Sequence, residues 1–282
     1  MFEIKNEHFS VGINEIGAEL EYIKIDGINI LWSRGGLWNQ QSPILFPIIG
    51  ALKDNYYLAF NKKYEMEPHG FIQNARFDLL AKSDTSIALF KEYDEESLKL
   101  FPFKFRLEII FSLHFNTLQI RFKVRNLGDE KMPFSIGIHP GFSYQGLDSL
   151  LGRGYKIDFN PKILDEYEFS PIFINGKRQA LIDYNSFSEI SATLVDKRTL
   201  CYEGLNEINF IGSYNKLSIK HTMDSTAIWQ KNPEANNEFM CIEGWCGLPD
   251  EIDSDHIIFN KKNEHIVDSN CEFCSSFSIS YM

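Results

Sequence analysis

Apolar and polar residues alternate with a period of two along most of this chain, the signature of strands with one buried face. Phe2 and Ile4, then Phe9, Val11 and Ile13, follow it, and residues 21–25 and 29–32 flank Asp26-Gly27, a favoured hairpin-turn dipeptide. The clearest signal is central. Phe105, Leu107, Ile109, Phe111 and Leu113 alternate with polar or exposed positions, and Leu118, Ile120, Phe122 and Val124 repeat the pattern after a break at Asn116-Thr117. That spacing predicts a long β-hairpin with one buried face. Phe134, Ile136 and Ile138 predict a further strand that ends at His139-Pro140-Gly141. Shorter pieces at 155–159, 191–195, 208–211, 216–220, 226–229 and 276–281 read as strands too, and no stretch longer than about ten residues has a convincing helical period. The pattern predicts an all-β, antiparallel chain with few short helices. No linker or composition shift marks a boundary, so one domain over 1–282 is expected.

The interruptions are equally informative. From Trp38 to Gly50 an apolar segment is broken by Pro43 and Pro47; proline lacks the donor a central strand needs, which predicts an irregular or edge segment shaping a cleft wall. Residues 54–64 read as a hairpin or excursion. In Pro68-His69-Gly70 the flanking residues fix a corner that aims one histidine.

Composition narrows the function classes. With 44% apolar residues in 282 the chain fits a globular protein with a substantial core, and no run approaches the roughly 18 apolar residues of a membrane span. The N-terminal residues alternate and carry charge where a signal peptide is apolar, so a cytoplasmic location is expected. A formal charge of −11, with basic residues dispersed among acids, argues against nonspecific nucleic-acid binding. Five cysteines are an odd count for a disulfide framework. Cys271-Glu-Phe-Cys274 spells a metal or redox motif but runs into an alternating strand. There i and i+3 face opposite ways, so buried apolar cysteines are expected rather than a metal pair.

Three segments carry candidate chemistry: His139 at a strand end, His69 at its corner, and Glu243, the only charge in Cys241-Ile-Glu-Gly-Trp-Cys-Gly-Leu-Pro249. A histidine can give a proton near neutral pH and a carboxylate can take one. Each histidine alone reads equally well as a hydrogen-bonded structural group. Glu243 is harder to explain away, because a carboxylate between Ile242 and Gly244-Trp245 is costly to bury without a task. Trp38, Trp229 and Trp245 offer flat faces to a ligand, although 24 phenylalanines show how freely the chain uses aromatics as core. Arg76 is a forked donor near the His69 corner or, more simply, one half of an ion pair. His8, His114, His221, His256 and His265 have no converging partners visible in the sequence.

The succession Leu45-Phe-Pro-Ile-Ile-Gly50, His69-Gly-Phe71, Gly137-Ile-His-Pro-Gly-Phe142, Ile228-Trp229 and Cys241-Ile-Glu-Gly-Trp245 with Pro249-Asp250 resembles the aldose 1-epimerase (galactose mutarotase-like) family, in its LacX-like branch. The resemblance implies an antiparallel β-supersandwich with a sugar cleft. It also implies interconversion of α and β anomers through the open-chain aldehyde, with no metal or cofactor. It casts His139 as general acid, Glu243 as general base and His69 as a sugar-holding histidine. Two positions depart from it: Ala51 stands where many relatives carry arginine, and Asn206 aligns with an aspartate that grips sugar hydroxyls. Lys53 or Arg76 could replace the missing guanidinium, and Trp245 could stack on the sugar.

Three functions follow as expectations. The first is an aldose 1-epimerase acting on a hexose or related sugar, as a monomer or homodimer. The second is an epimerase of hexose 6-phosphates, which needs a cationic pocket from Lys53 and Arg76. The third is a sugar-binding protein without turnover. A glycosidase fits less well, since it needs two carboxylates and the motifs single out only Glu243.

Overall fold

The computed structural model describes residues 1–234 and 238–282. Two antiparallel sheets, each of eight strands, carry most of the chain. The first runs Lys156–Asn160, Glu207–Ile211, Lys216–His221, Glu272–Tyr281, Thr117–Asn126, Phe105–His114, Ser86–Glu92 and Asp78–Lys82. The second runs Phe173–Leu181, Ile163–Ser170, Thr199–Glu203, Ser225–Trp229, Phe239–Cys246, Ile136–Ile138 and Ile44–Leu45, and Gly141–Ser143 also pairs with Phe239–Cys246. The N-terminal strands Phe2–Lys5, Phe9–Ile13, Leu20–Ile25 and Ile28–Asn29 form a four-stranded meander.

The central hairpin shows why the sheets pack. Ile109 pairs with Phe122 and Phe111 with Ile120, so alternation on both strands sends one continuous apolar face inward. These residues share a core with Ile138, Ile228, Met240 and Ile242 of the second sheet. Each such fully buried side chain contributes about 1.5–3 kcal/mol. The same cluster reaches from Ile4 to Ile279.

The structure departs from the sequence reading in four places. Residues 191–195 belong to the helix Phe187–Lys197, not to a strand. Its buried Phe187, Ile190 and Leu194 follow helical spacing and Ser186 caps its first turn, a pattern visible only in a window longer than the five residues read. The hairpin of Ile163–Ser170 and Phe173–Leu181 is not legible in the sequence because its residues are mostly part-exposed and blur the alternation. The run through Phe134 to Ile138 is two strands: Met132–Phe134 pairs with His265–Val267, whereas Ile136–Ile138 joins the second sheet. Cys271 and Cys274 are exposed rather than buried, since Cys271 precedes Glu272–Tyr281 and Cys274 lies on its outer face. Among the described residues no helix is long and apolar enough to cross a membrane.

Candidate active site

The strand Phe239–Cys246 is buried on both faces. Met240, Ile242 and Cys246 enter the main core. Phe239 and Cys241 join Trp32 on the opposite side, and Trp245 joins Leu45 and Ile49 there. A period of two therefore sends Glu243 to the same face as Trp245, and Trp245 Nε1 donates to Glu243 Oε2 at 2.9 Å. Gly244 between them faces inward, where a Cβ would lie 2.6 Å from Met223 Sδ. Ala227 stands opposite Glu243 on the neighbouring strand and takes little room on that face.

On the other neighbour the register runs from Ile138 opposite Gly244 to Gly141 opposite Cys241 without a shift. That spacing places His139 opposite Glu243, and its Nε2 lies 3.1 Å from Glu243 Oε1. Pro140 has no N–H to offer the ladder, but its carbonyl still accepts from Ile242 N–H at 3.2 Å. The His139 N–H donates to Pro43 O at 3.0 Å, so the proline-broken segment holds the histidine from its other side.

His69 reaches the same cleft from its corner. Its φ of 67° is in the left-handed region, which costs a non-glycine residue roughly 1–3 kcal/mol and marks a position held by its surroundings. Those surroundings are specific: the His69 N–H donates to Gly50 O at 2.8 Å, and Gly50 N–H donates to His69 Nδ1 at 3.2 Å. With Nδ1 accepting, the neutral ring carries its proton on Nε2, so it presents a donor. The His69 and His139 rings meet edge to face at 5.7 Å.

These groups line a cleft of about 320 Å³ with Trp38, Trp229, Thr199 and Phe169. Trp38 lies 5.1 Å from the His139 ring and stacks on Phe239 at 5.4 Å. Burial governs the electrostatics. Removal from water pushes the Glu243 carboxyl well above its ordinary range, with the Trp245 N–H opposing. Burial, and then His69, hold His139 well below the ordinary histidine range. Burial alone lowers His69 from 6.5 to about 4. His139 Nε2 and Glu243 Oε1 lie 3.1 Å apart, and burial favours the neutral pair, with the proton on Glu243: a second proton puts a buried cation on His139, and losing the first leaves a buried anion on Glu243.

His139, Glu243, His69 and Trp245 come together; the other expected ligands do not. Arg76 is exposed and grips Glu15 through both guanidinium nitrogens, at 3.0 and 3.1 Å. Its exposed position at an isolated bridge to Ile16 carries it away from the cleft wall. Lys53 turns to the loop beyond Asp250, its Nζ 3.5 Å from Ser254 O and its N–H bonded to Asp250 Oδ2. Asn206 is exposed between Thr199–Glu203 and Glu207–Ile211, where its carbonyl accepts from His221 N–H at 3.1 Å. Ala51 does line the cleft, so the place of the missing arginine is a methyl-bearing wall. Gln40, Thr199, Phe169, Ile172 and Lys231 line it as well and were not singled out in the sequence, because they arrive from a loop, a strand edge and a hairpin tip with no shared periodicity.

Comparison with known proteins bears on the family and the fold. The family described as Aldose 1-epimerase matches residues 1–266. The chain is 25% identical to the chromosomal Protein LacX of Lactococcus lactis subsp. lactis over 92% of each chain. It is similar to the X-ray structure of a galactose mutarotase related enzyme from Lactobacillus acidophilus, with TM-score 0.89 and 26% identity over 100% of this chain and 97% of that one. A galactose mutarotase-like protein from Lactobacillus casei has TM-score 0.87 and 24% identity, with 100% of both chains covered. The fold is the antiparallel β-sandwich of those proteins, and the chain belongs to the aldose 1-epimerase family.

Proposed function

We propose that this protein is an aldose 1-epimerase that interconverts the α and β anomers of a hexose or related sugar. The observation that carries the reading is the His139–Glu243 contact of 3.1 Å in a cleft of about 320 Å³, within the size range of small-ligand sites. Anomer exchange needs a base for the C1 hydroxyl proton and an acid for the ring oxygen, two atoms bonded to one carbon. An acid and a base already in contact match that separation.

In the ring-opening step Glu243 takes the C1 hydroxyl proton while protonated His139 gives its proton to the ring oxygen. The C1–ring-oxygen bond breaks and its electrons go to that oxygen, as the former hydroxyl becomes the aldehyde carbonyl. Rotation about C1–C2 turns the other carbonyl face to the new hydroxyl, and reclosure runs the two transfers backwards. The pair holds one proton throughout, on His139 in the closed-ring states and on Glu243 in the open-chain state. Burial favours the neutral pair with the proton on Glu243, so ring opening proceeds from the less favoured arrangement with the proton on His139; neither transfer requires a metal or cofactor. His69 Nε2–H donates to a sugar oxygen, and Trp38, Trp229 and Trp245 offer apolar faces to the C–H surface of the ring.

Polarimetry of freshly dissolved α-glucose, α-galactose and several other aldoses tests this reading. Purified protein should speed the approach to anomeric equilibrium for at least one of them. Uncatalysed rates with every aldose, alongside saturable sugar binding, overturn it in favour of a sugar-binding protein without turnover.

A further inference from the structure

We propose that Asp224, Cys246 and His265 form a binding site for a zinc-like divalent cation, separate from the sugar cleft. One carboxylate oxygen, the thiol sulfur and one imidazole nitrogen lie within 4.8 Å of one another, and His265 Nε2 is 2.6 Å from Asp224 Oδ2. A tetrahedral zinc with Zn–S of about 2.3 Å and Zn–N or Zn–O of about 2.0–2.2 Å holds neighbouring donors roughly 3.3–3.6 Å apart. Shifts of about an ångström bring these three to that spacing. Thiolate, imidazole and carboxylate together suit zinc or cobalt, whereas magnesium and calcium take oxygen donors.

The placement is that of a structural clamp. Asp224 lies in the turn before Ser225–Trp229, Cys246 ends Phe239–Cys246 and His265 begins His265–Val267, so one ion would tie three strand ends. The His265 ring is set by Phe134 and Phe273, with ring centroids 5.9 and 4.6 Å away. Cys246 is 1% exposed, while the side chains of His265 and Asp224 are 26% and 37% exposed and give an ion a route in. That burial rules against the other chemistry such a trio suggests, since a thiol closed off from solvent reaches no substrate. Cys246 also points into the core, away from the face that carries Glu243 and Trp245. On binding, the thiol gives its proton to solvent as the sulfur–metal bond forms, and water fills the fourth position.

The test uses reduced full-length protein carrying C271S and C274S, which removes the two exposed thiols as competing ligands. Titration with Co²⁺ should show one equivalent bound with thiolate-to-cobalt charge-transfer absorption. C246S should abolish that band, and H265Q or D224N should weaken binding by at least about tenfold. Zn²⁺ should raise the thermal midpoint of the parent but not of H265Q. No charge-transfer band, or the same band in C246S, overturns the proposal. Should C246S fail to fold, unchanged Co²⁺ affinity in H265Q and D224N overturns it equally.

Discussion

His139 and Glu243 face each other across one antiparallel register, with Nε2 and Oε1 3.1 Å apart, although about a hundred residues separate them in the chain. The ladder is continuous on both sides of the pair, so their separation is set by sheet geometry rather than by a loop. A buried acid and base held this way are costly for the fold and useful for proton transfer, and the predictions follow from that opposition.

Replacing Glu243 by Gln should slow anomer exchange by about 10²–10⁴-fold, the range for one acid–base group. Stability should move the other way. Burial raises the Glu243 carboxyl above its unfolded value, so its contribution to stability is present below the unfolded value and is lost as pH rises through the folded one. Glu243→Gln should therefore remove part of the alkaline loss of thermal stability. Polarimetry and calorimetry on the same preparation decide it; exchange within a factor of three of wild type would count against Glu243 as the base.

The rate profile against pH should be a broad plateau. Its acid limb belongs to the second proton on the pair, held below the ordinary histidine range by burial of His139. Its alkaline limb belongs to loss of the last proton, held above the ordinary carboxylate range by burial of Glu243. Initial rates across a buffered series give the limbs directly. A bell centred on 6.5 with steep limbs would mean that two solvated groups titrate independently.

Trp245→Phe keeps an aromatic face in the cleft and deletes the donor to Glu243 Oε2. A hydrogen bond to a charged group is worth roughly 1.5–3 kcal/mol, or about 10–150-fold. The fall should appear in kcat more than in KM, and the alkaline limb should move up because the carboxylate has lost its stabilising donor. A change confined to KM would assign Trp245 to sugar stacking alone.

Acid should destabilise the fold earlier than carboxylate titration explains. Burial lowers both His69 and His221 from 6.5 to about 4. Their contribution is complete above the unfolded value and is lost as pH falls from 6.5 toward 4, about 3 kcal/mol for each. Glu264 and Glu243, both raised by burial, work against this loss, and His139, lowered by burial, adds to it. Chemical unfolding at pH 7, 6, 5 and 4.5 measures the slope, and a stability that rises toward pH 4.5 would contradict the lowered histidines.

Free hexose should react faster than its 6-phosphate. With Lys53 and Arg76 turned away, Lys231 is the one cationic side chain on the cleft wall among the described residues. A single exposed lysine is a weak phosphate site beside the forked or multiple donors that phosphate favours. Parallel assays on glucose and glucose 6-phosphate test this. A preference for the phosphate that Lys231→Ala removes would turn the reading toward a sugar-phosphate epimerase.

The sequence by itself determined the strands, the turns and the residues able to do proton chemistry. Alternation is written locally, so the hairpin of Phe105–His114 and Thr117–Asn126 could be read from its own residues. A carboxylate alone in an apolar run likewise marked Glu243. The helix Phe187–Lys197 and the part-exposed hairpin beside it escaped because their local patterns are short or weakly buried. The tertiary structure decided which candidates meet. The Pro43–Gly50 segment, the His69 corner and two strand registers bring His69, His139, Glu243 and Trp245 to one face, while Arg76 pairs with Glu15, Lys53 turns to Ser254 and Asn206 stays in an exposed turn. Side-chain type and spacing are properties of a few consecutive residues, whereas a cleft wall is assembled from elements far apart in the chain, and only their packing says which of them share it.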